Sequence, residues 1–138
     1  MIKKFNHIAV AVSDIEKSIE IYSRLFDSEP VDVLTVEEQG VRVAIFDIDG
    51  VMYELFKPLD LDNPIARFID SRGNALHHVA FSVDNITEAI DHFTESGFKT
   101  IGSEPRTGAE GKPIIFMHPK TTDGILIELI EDKQKELL

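Results

Sequence analysis

The sequence contains an internal repeat, which limits the folds open to the chain more than any other feature. The segment FNHIAVAV, residues 5–12, aligns position by position with LHHVAFSV, residues 76–83, so that His7 falls on His78. Both segments alternate in a way that is typical of a half-buried β-strand. The chain is therefore predicted to fold as two copies of one module, each beginning with a strand.

The repeat continues into the residues that follow each strand. SDIEKSIEIYSRL in the first copy matches DNITEAIDHFTES in the second, and both carry apolar residues at the spacing of an amphipathic helix. Ser13 lies three positions before Glu16, and Asn85 lies three positions before Glu88, which is the signature of a helix N-terminus. We therefore predict that Ser13 and Asn85 cap these two helices.

Further apolar runs bounded by turn residues predict the strands that complete each copy. The first copy contains VRVAIFDI and VMYELFKP, and the second contains PIIFMHP and GILIELI. Each copy is interpreted as a β-α-β-β-β module, residues 1–57 and residues 75–131, and the fold class as α+β. The 138 residues have the length of one domain, which we expect to comprise both modules.

The segment between the modules, residues 58–74, is predicted to be a linker that contains a short helix. Asn63 can cap this helix, Pro64 suits its first position, and the apolar residues of PIARFI form one face. The last residues, 132–138, form a charged tail that we expect to fray.

Composition excludes several classes of function. The chain contains no cysteine, which excludes disulfides, thiolate nucleophiles and zinc sites with cysteine ligands. A formal net charge of -11 argues against a nucleic-acid partner, because phosphate backbones bind clustered Lys and Arg. The N-terminal segment lacks a signal-peptide cleavage site, and no stretch has the roughly 18 apolar residues of a membrane-spanning helix. We therefore expect a cytoplasmic protein without a nucleic-acid or membrane partner.

Four polar residues stand at matched positions of the repeat. His7 corresponds to His78, and Glu54 corresponds to Glu128 in the last strand of each module. Both glutamates are flanked by apolar residues, and a carboxylate in an apolar interior is costly unless it is paired or binds a metal. Either glutamate alone could face solvent, but two imidazoles and two carboxylates related by the repeat favour one metal site. Nitrogen and oxygen ligands without sulfur suit a divalent ion such as zinc, cobalt, nickel or manganese.

The sequence resembles the vicinal-oxygen-chelate superfamily, also called the glyoxalase/bleomycin-resistance superfamily, and within it the methylmalonyl-CoA epimerase family. The resemblance covers nearly the whole chain and is most specific in PLDLDNPIARFIDSRGNALHHVAF and EPRTGAEGKPIIFMHPKTTDGILIEL. It implies paired β-α-β-β-β modules around a metal cup that holds cobalt or zinc, with nickel and manganese as further candidates, and it implies a homodimer. The family's metal ligands fall on the four residues named above: His7, Glu54, His78 and Glu128.

The activity implied by the resemblance is the interconversion of (R)- and (S)-methylmalonyl-CoA. A proton is removed from C2 and returned to it, and the metal ion stabilises the enolate. Epimerisation requires a proton acceptor and a proton donor on opposite faces of C2. Some family members supply an acid from the strand after the EQGV turn, but Val43 occupies that position here. We therefore hypothesise that Glu54 and Glu128 act as alternating catalytic bases.

The CoA part of the substrate carries phosphates, and its binding requires cations. RTGAEGKP supplies Arg106 and Lys112 in a glycine-rich loop, and Lys120 follows nearby, although each cation could also be a solvated surface charge. His118 in FMHPK belongs to the family pattern and is assigned a loop or substrate-side role. His77 is expected to face away from the metal site, because adjacent side chains of a strand point to opposite faces.

Two other interpretations stay open. A lactoylglutathione lyase-like isomerase of the same superfamily would share the four ligands but act on a glutathione hemithioacetal. The linker sequence and the segment GKPIIFMHPK argue against it. A metal-free binding module of the drug-resistance branch would have lost ligands, and the retention of all four disfavours it.

Overall fold

The fold repeats one order of elements twice. The computed structural model describes residues 1–133, so that most of the predicted charged tail, residues 134–138, lies outside the described residues. The elements are β1 (Ile2–Ala11), α1 (Ile15–Phe26), β2 (Asp32–Val36), β3 (Val41–Ile48), β4 (Val51–Pro58), α2 (Pro64–Arg72), β5 (Ala75–Val83), α3 (Ile86–Glu95), β6 (Thr100–Thr107), β7 (Pro113–Met117) and β8 (Ile127–Glu131). The order β-α-β-β-β therefore occurs twice, and the predicted α+β fold is confirmed. Within residues 1–133, none of the helices has the length and apolar character needed to cross a membrane.

One compact unit comprises residues His7–His77. Its strands lie in the order β2-β3-β4-β1, with a parallel pair β1/β4 and antiparallel pairs elsewhere. Alternate residues of these strands point to opposite faces, and each face has its own apolar cluster. The cluster on the face against α1 contains Val10, Val12, Phe46 and Leu55, together with Ile15 of the helix. The face against α2 contains Ala9, Ala11, Val43, Ile45 and Phe56, with Ile65, Phe68 and Ile69 of the helix packed on them.

The other compact unit comprises Met1–Asn6 and, within the described residues, 78–133. Its strands lie in the order β5-β8-β7-β6, again with one parallel pair, β5/β8. The start of β1 lies beside β5, where the Phe5 and Phe81 rings meet edge to face at 5.1 Å. Helix α3 covers one face through an apolar cluster that includes Val83, Ile86, Ala89, Ile115 and Leu129.

The predicted N-cap residues are correct for α2 and α3 but not for α1. The side chain of Asn85 accepts a hydrogen bond from the Glu88 backbone N–H, and Asn63 caps α2 with Pro64 at its first position. The prediction for α1 was wrong by one residue, because Asp14 and not Ser13 is the N-cap. Asp14 accepts from the Lys17 backbone N–H at 3.2 Å. A carboxylate accepts this bond as well as a hydroxyl does, so that the two residues compete for the same role.

The sequence patterns did not locate two of the strands. The module pattern required a strand after each long helix, and the structure has β2 and β6 there. Both are edge strands, and their residues are mostly exposed. An edge strand exposed in this way carries no apolar alternation for a sequence pattern to detect. The predicted strand GILIELI is also shorter than expected, since β8 begins at Ile127.

Candidate functional site

In the unit His7–His77, β1 and β4 bring an imidazole and a carboxylate together. The parallel register sets Ala9 opposite Glu54, so that His7 lies two residues before the partner of Glu54 and on the same face. The His7 Nδ1 lies 3.3 Å from the Glu54 Oε2. His7 is 5 % exposed and Glu54 is 6 % exposed. Buried ionisable groups of this kind are costly unless they are paired or bind a metal.

The second unit repeats this arrangement. The parallel register of β5 and β8 sets Ala80 opposite Glu128, so that His78 again lies two residues before the partner of the glutamate. The His78 Nε2 lies 3.8 Å from the Glu128 Oε1, and both residues are buried. The equivalence inferred from the sequence therefore extends to strand register, and each unit contains one buried His–Glu pair.

The donor atoms of these residues fit a divalent metal ion. In the second unit His78 and Glu128 offer a buried imidazole nitrogen and a buried carboxylate oxygen as ligand atoms, and in the first unit His7 offers a buried imidazole nitrogen. Imidazole nitrogen and carboxylate oxygen, without sulfur, are the ligands that zinc, cobalt, nickel and manganese accept. Glu54 adds a further carboxylate beside His7.

An aromatic ring and a guanidinium lie next to His78. Phe116 of β7 pairs with Glu128 across the sheet, and its ring meets the His78 imidazole edge to face at 5.2 Å. The guanidinium carbon of Arg106 lies over the same ring, 5.6 Å from the Phe116 ring centroid. Phe116 therefore connects Arg106, a predicted substrate-binding residue, to the pair of His78 and Glu128.

The other predicted substrate-binding residues have different surroundings in the structure. The His118 Nδ1 accepts a hydrogen bond of 3.2 Å from the Lys120 backbone N–H and thereby caps a 3₁₀ turn, Pro119–Thr121. The Lys120 residue is exposed. The Lys112 Nζ lies 3.1 Å from the Asp132 Oδ1 and 3.7 Å from the Glu110 Oε2.

His77 has a packing role that the sequence did not predict. Its imidazole meets the ring of Phe56 at 5.2 Å and the ring of Phe68 at 4.9 Å, both edge to face. Burial, together with the charge of Arg72, lowers the pKa of His77. Val43, at the position where some family members have an acid, is a buried core residue opposite Phe56.

Comparison with known proteins gives the family. Residues 6–116 match the Glyoxalase/Bleomycin resistance protein/Dioxygenase superfamily. The ethylmalonyl-CoA/methylmalonyl-CoA epimerase of Cereibacter sphaeroides is 36 % identical over 131 residues, which is 94 % of this chain and 98 % of that protein. The human mitochondrial methylmalonyl-CoA epimerase is 35 % identical over 127 residues, covering 91 % of this chain and 72 % of that protein.

A solved structure leads to the same family. A methylmalonyl-CoA epimerase in complex with methylmalonyl-CoA and NH4+ superposes with a TM-score of 0.88 and 28 % identity, over 94 % of each chain. This chain therefore belongs to the glyoxalase/bleomycin resistance protein/dioxygenase superfamily and, within it, to the family of the methylmalonyl-CoA epimerases.

Proposed function

We propose that this chain interconverts the C2 epimers of methylmalonyl-CoA and requires a divalent metal ion to do so. The observation that carries the proposal is the buried His–Glu pair that recurs at one strand register in both units. Relatives named for this activity support it, since they align with more than nine-tenths of the chain. The lactoylglutathione lyase and metal-free alternatives lack comparable support among these relatives.

We propose that both His–Glu pairs supply metal ligands. The repeat relates the pairs, and their burial explains why water alone would not compensate two carboxylates. Cobalt or zinc is the proposed ion, with nickel and manganese as further candidates. When bound, such an ion supplies positive charge that stabilises the negative charge developing on the substrate oxygens. The proposed ligands are His7, Glu54, His78 and Glu128.

The proton transfers require two groups of this chain. The C2 proton has a pKa far above that of a side-chain carboxylate, and each pKa unit costs about 1.4 kcal/mol, so that a base alone is insufficient. Glu54 and Glu128 are the proposed bases, one removing the proton and the other returning it. Val43 supports this assignment, because its aliphatic side chain cannot exchange a proton where some family members have an acid.

The CoA arm is proposed to bind on the side of Arg106. Arg106 has the strongest support, because its guanidinium lies over Phe116, the ring that contacts His78. His118 and Lys120 are weaker candidates, and an exposed lysine is a suitable partner for a phosphate. Cytoplasmic location stays a prediction from the sequence pattern, and a homodimer stays a prediction from the resemblance.

Deuterium exchange at C2 tests the function. Purified protein is incubated with methylmalonyl-CoA in deuterium oxide, with and without a chelator. We expect rapid incorporation that the chelator abolishes and that added cobalt or zinc restores. Glu20→Gln, a change at an exposed position of α1, is the matched control and should leave the rate unchanged. Chelator-insensitive exchange, or turnover of a hemithioacetal in its place, would overturn the proposal.

A further inference from the structure

A chain of polar contacts connects the glycine-rich turn to the interior of the unit that holds His78 and Glu128. The Lys112 Nζ donates to the Asp132 Oδ1 at 3.1 Å. The Asn6 Nδ2 lies 3.3 Å from the Asp132 Oδ2 and donates to the Ser82 Oγ at 3.0 Å. Asn6 is 5 % exposed and Ser82 is fully buried. One carboxylate therefore links a cation of the turn to a buried amide.

The turn itself, residues 108–112, is compact. The Gly108 N–H donates to the Lys112 carbonyl at 2.9 Å, and the Gly111 N–H donates to the Gly108 carbonyl at 3.0 Å. Gly108 packs so closely on Ile114 that an added Cβ would lie 2.8 Å from the Ile114 Cγ2. These bonds close the turn, and the side chain of its last residue, Lys112, connects it to Asp132.

Strand register gives the position of this network relative to the His–Glu pair. Phe116 pairs with Glu128, and the next row on the same face pairs Ile114 with Ile130. Arg106 pairs with Ile114 and so belongs to that second row. Asp132 lies two residues beyond Ile130, which is roughly 7 Å further along the strand direction. The network therefore lies at the end of the face that carries Glu128, directly after Arg106.

We propose that Lys112 is a positioning residue and that it acts through Asp132. The ion pair holds the turn against the end of β8. The turn then keeps Arg106 over the Phe116 ring. Lys112 then contributes to substrate binding without contacting the CoA phosphates. The inference rests on the proposed epimerase function for its kinetic consequence only, since the tether itself is independent of the reaction.

The ion pair is suited to this role. The Lys112 and Asp132 side chains are 39 % and 29 % exposed, so that solvent screens the pair only in part. Two further bonds orient Asp132, because its backbone N–H donates to the Val83 carbonyl at 3.0 Å and its second carboxylate oxygen faces Asn6. A carboxylate that is already oriented loses less entropy when the lysine binds.

Kinetics of matched variants test the role of Lys112. We expect Lys112→Met and Asp132→Asn each to raise the KM for methylmalonyl-CoA by roughly 5- to 10-fold, with kcat within about twofold, since a binding contribution common to ground and transition state is lost. The double variant should be no worse than either single variant, and Lys112→Arg should restore KM. Lys3→Met, which removes the exposed ion pair to Asp84, is the control and should change nothing.

A direct phosphate contact gives a different pattern. If Lys112 bound the phosphates itself, removing the negative charge in Asp132→Asn would leave KM unchanged or lower it, and the effects of the two variants would not overlap. That result would overturn the inference.

Amide hydrogen exchange separates this inference from the proposed activity. The Gly108 and Gly111 amides donate within the turn, and we expect Lys112→Met and Asp132→Asn to accelerate their exchange about tenfold, as for a locally opened segment. Lys3→Met should not. Unchanged exchange in both turn variants contradicts the tether even if the enzyme is active, and accelerated exchange supports it even if methylmalonyl-CoA is not the substrate.

Discussion

The His7 Nδ1 lies 3.3 Å from the Glu54 Oε2 on neighbouring parallel strands, and this relationship recurs between His78 and Glu128. In each case the histidine lies two residues before the strand partner of the glutamate. Strand register, and not a shared loop, therefore holds each imidazole beside its carboxylate. A site built on strands is held more precisely than one built on loops, which suits the proposed role of these residues as metal ligands.

The two glutamates should differ in the epimer that they serve. If Glu54 and Glu128 act as bases on opposite faces of C2, Glu54→Gln slows proton removal from one epimer and Glu128→Gln slows it from the other, by about 10²- to 10⁴-fold. Deuterium wash-in measured separately for each epimer, with metal content determined in parallel, reports this asymmetry. Equal losses of metal and of exchange for both epimers in both variants leave the glutamates as ligands only.

Removal of the metal should lower stability as well as activity. An ion present at about 100 times its Kd adds about 2.7 kcal/mol to the free energy of unfolding. For a domain of this size we expect a rise in Tm of roughly 5 to 15 °C on adding cobalt or zinc to metal-free protein. His78→Asn should abolish the rise and the bound metal measured by elemental analysis, whereas His92→Asn, at an exposed position of α3, should preserve both. An unaltered metal content in His78→Asn excludes that residue as a ligand.

Asp14 and Ser13, at the start of α1, provide a test of stability in which each variant is the control for the other. Asp14 accepts the bond from the Lys17 N–H, so that Asp14→Ala should lower the free energy of unfolding by about 1 kcal/mol. Ser13→Ala should cost only a few tenths of a kcal/mol, within the range of ordinary surface changes. Chemical denaturation of the two variants measures the difference. A larger loss in Ser13→Ala would contradict the observed cap.

His77 should make stability depend on pH. Burial, with a contribution from Arg72, lowers its pKa in the folded chain, so that the unfolded chain binds the proton first as the pH falls. Its contribution to stability is therefore complete above the ordinary histidine pKa of about 6.5 and is lost as the pH falls below that value, down to the lowered pKa. We expect the free energy of unfolding of His77→Gln to decrease less between about pH 7.5 and about pH 5 than that of the unaltered chain. Parallel curves for the two chains would contradict the prediction.

Much of the fold and the candidate site follows from local sequence patterns. The repeat predicted two β-α-β-β-β modules, and the structure has them, because apolar periodicity reports which face of an element is buried. The repeat also marked His7, His78, Glu54 and Glu128, and the structure pairs them within each unit. Edge strands β2 and β6 were not located, since exposed strands lack that periodicity.

Only the tertiary structure decided the partners of polar residues. Lys112 was predicted from sequence as a substrate-binding cation, but its nearest partner is Asp132, which lies 20 residues away in the chain. Asn6 and Asp132 are separated by 126 residues, and neither was singled out by any motif. Long-range polar contacts depend on how strands are ordered in the sheet, and a one-dimensional pattern does not encode that order. The sequence by itself therefore determined the modules and the His–Glu residues, whereas the tether at the glycine-rich turn exists only because the folded sheet brings three distant segments together.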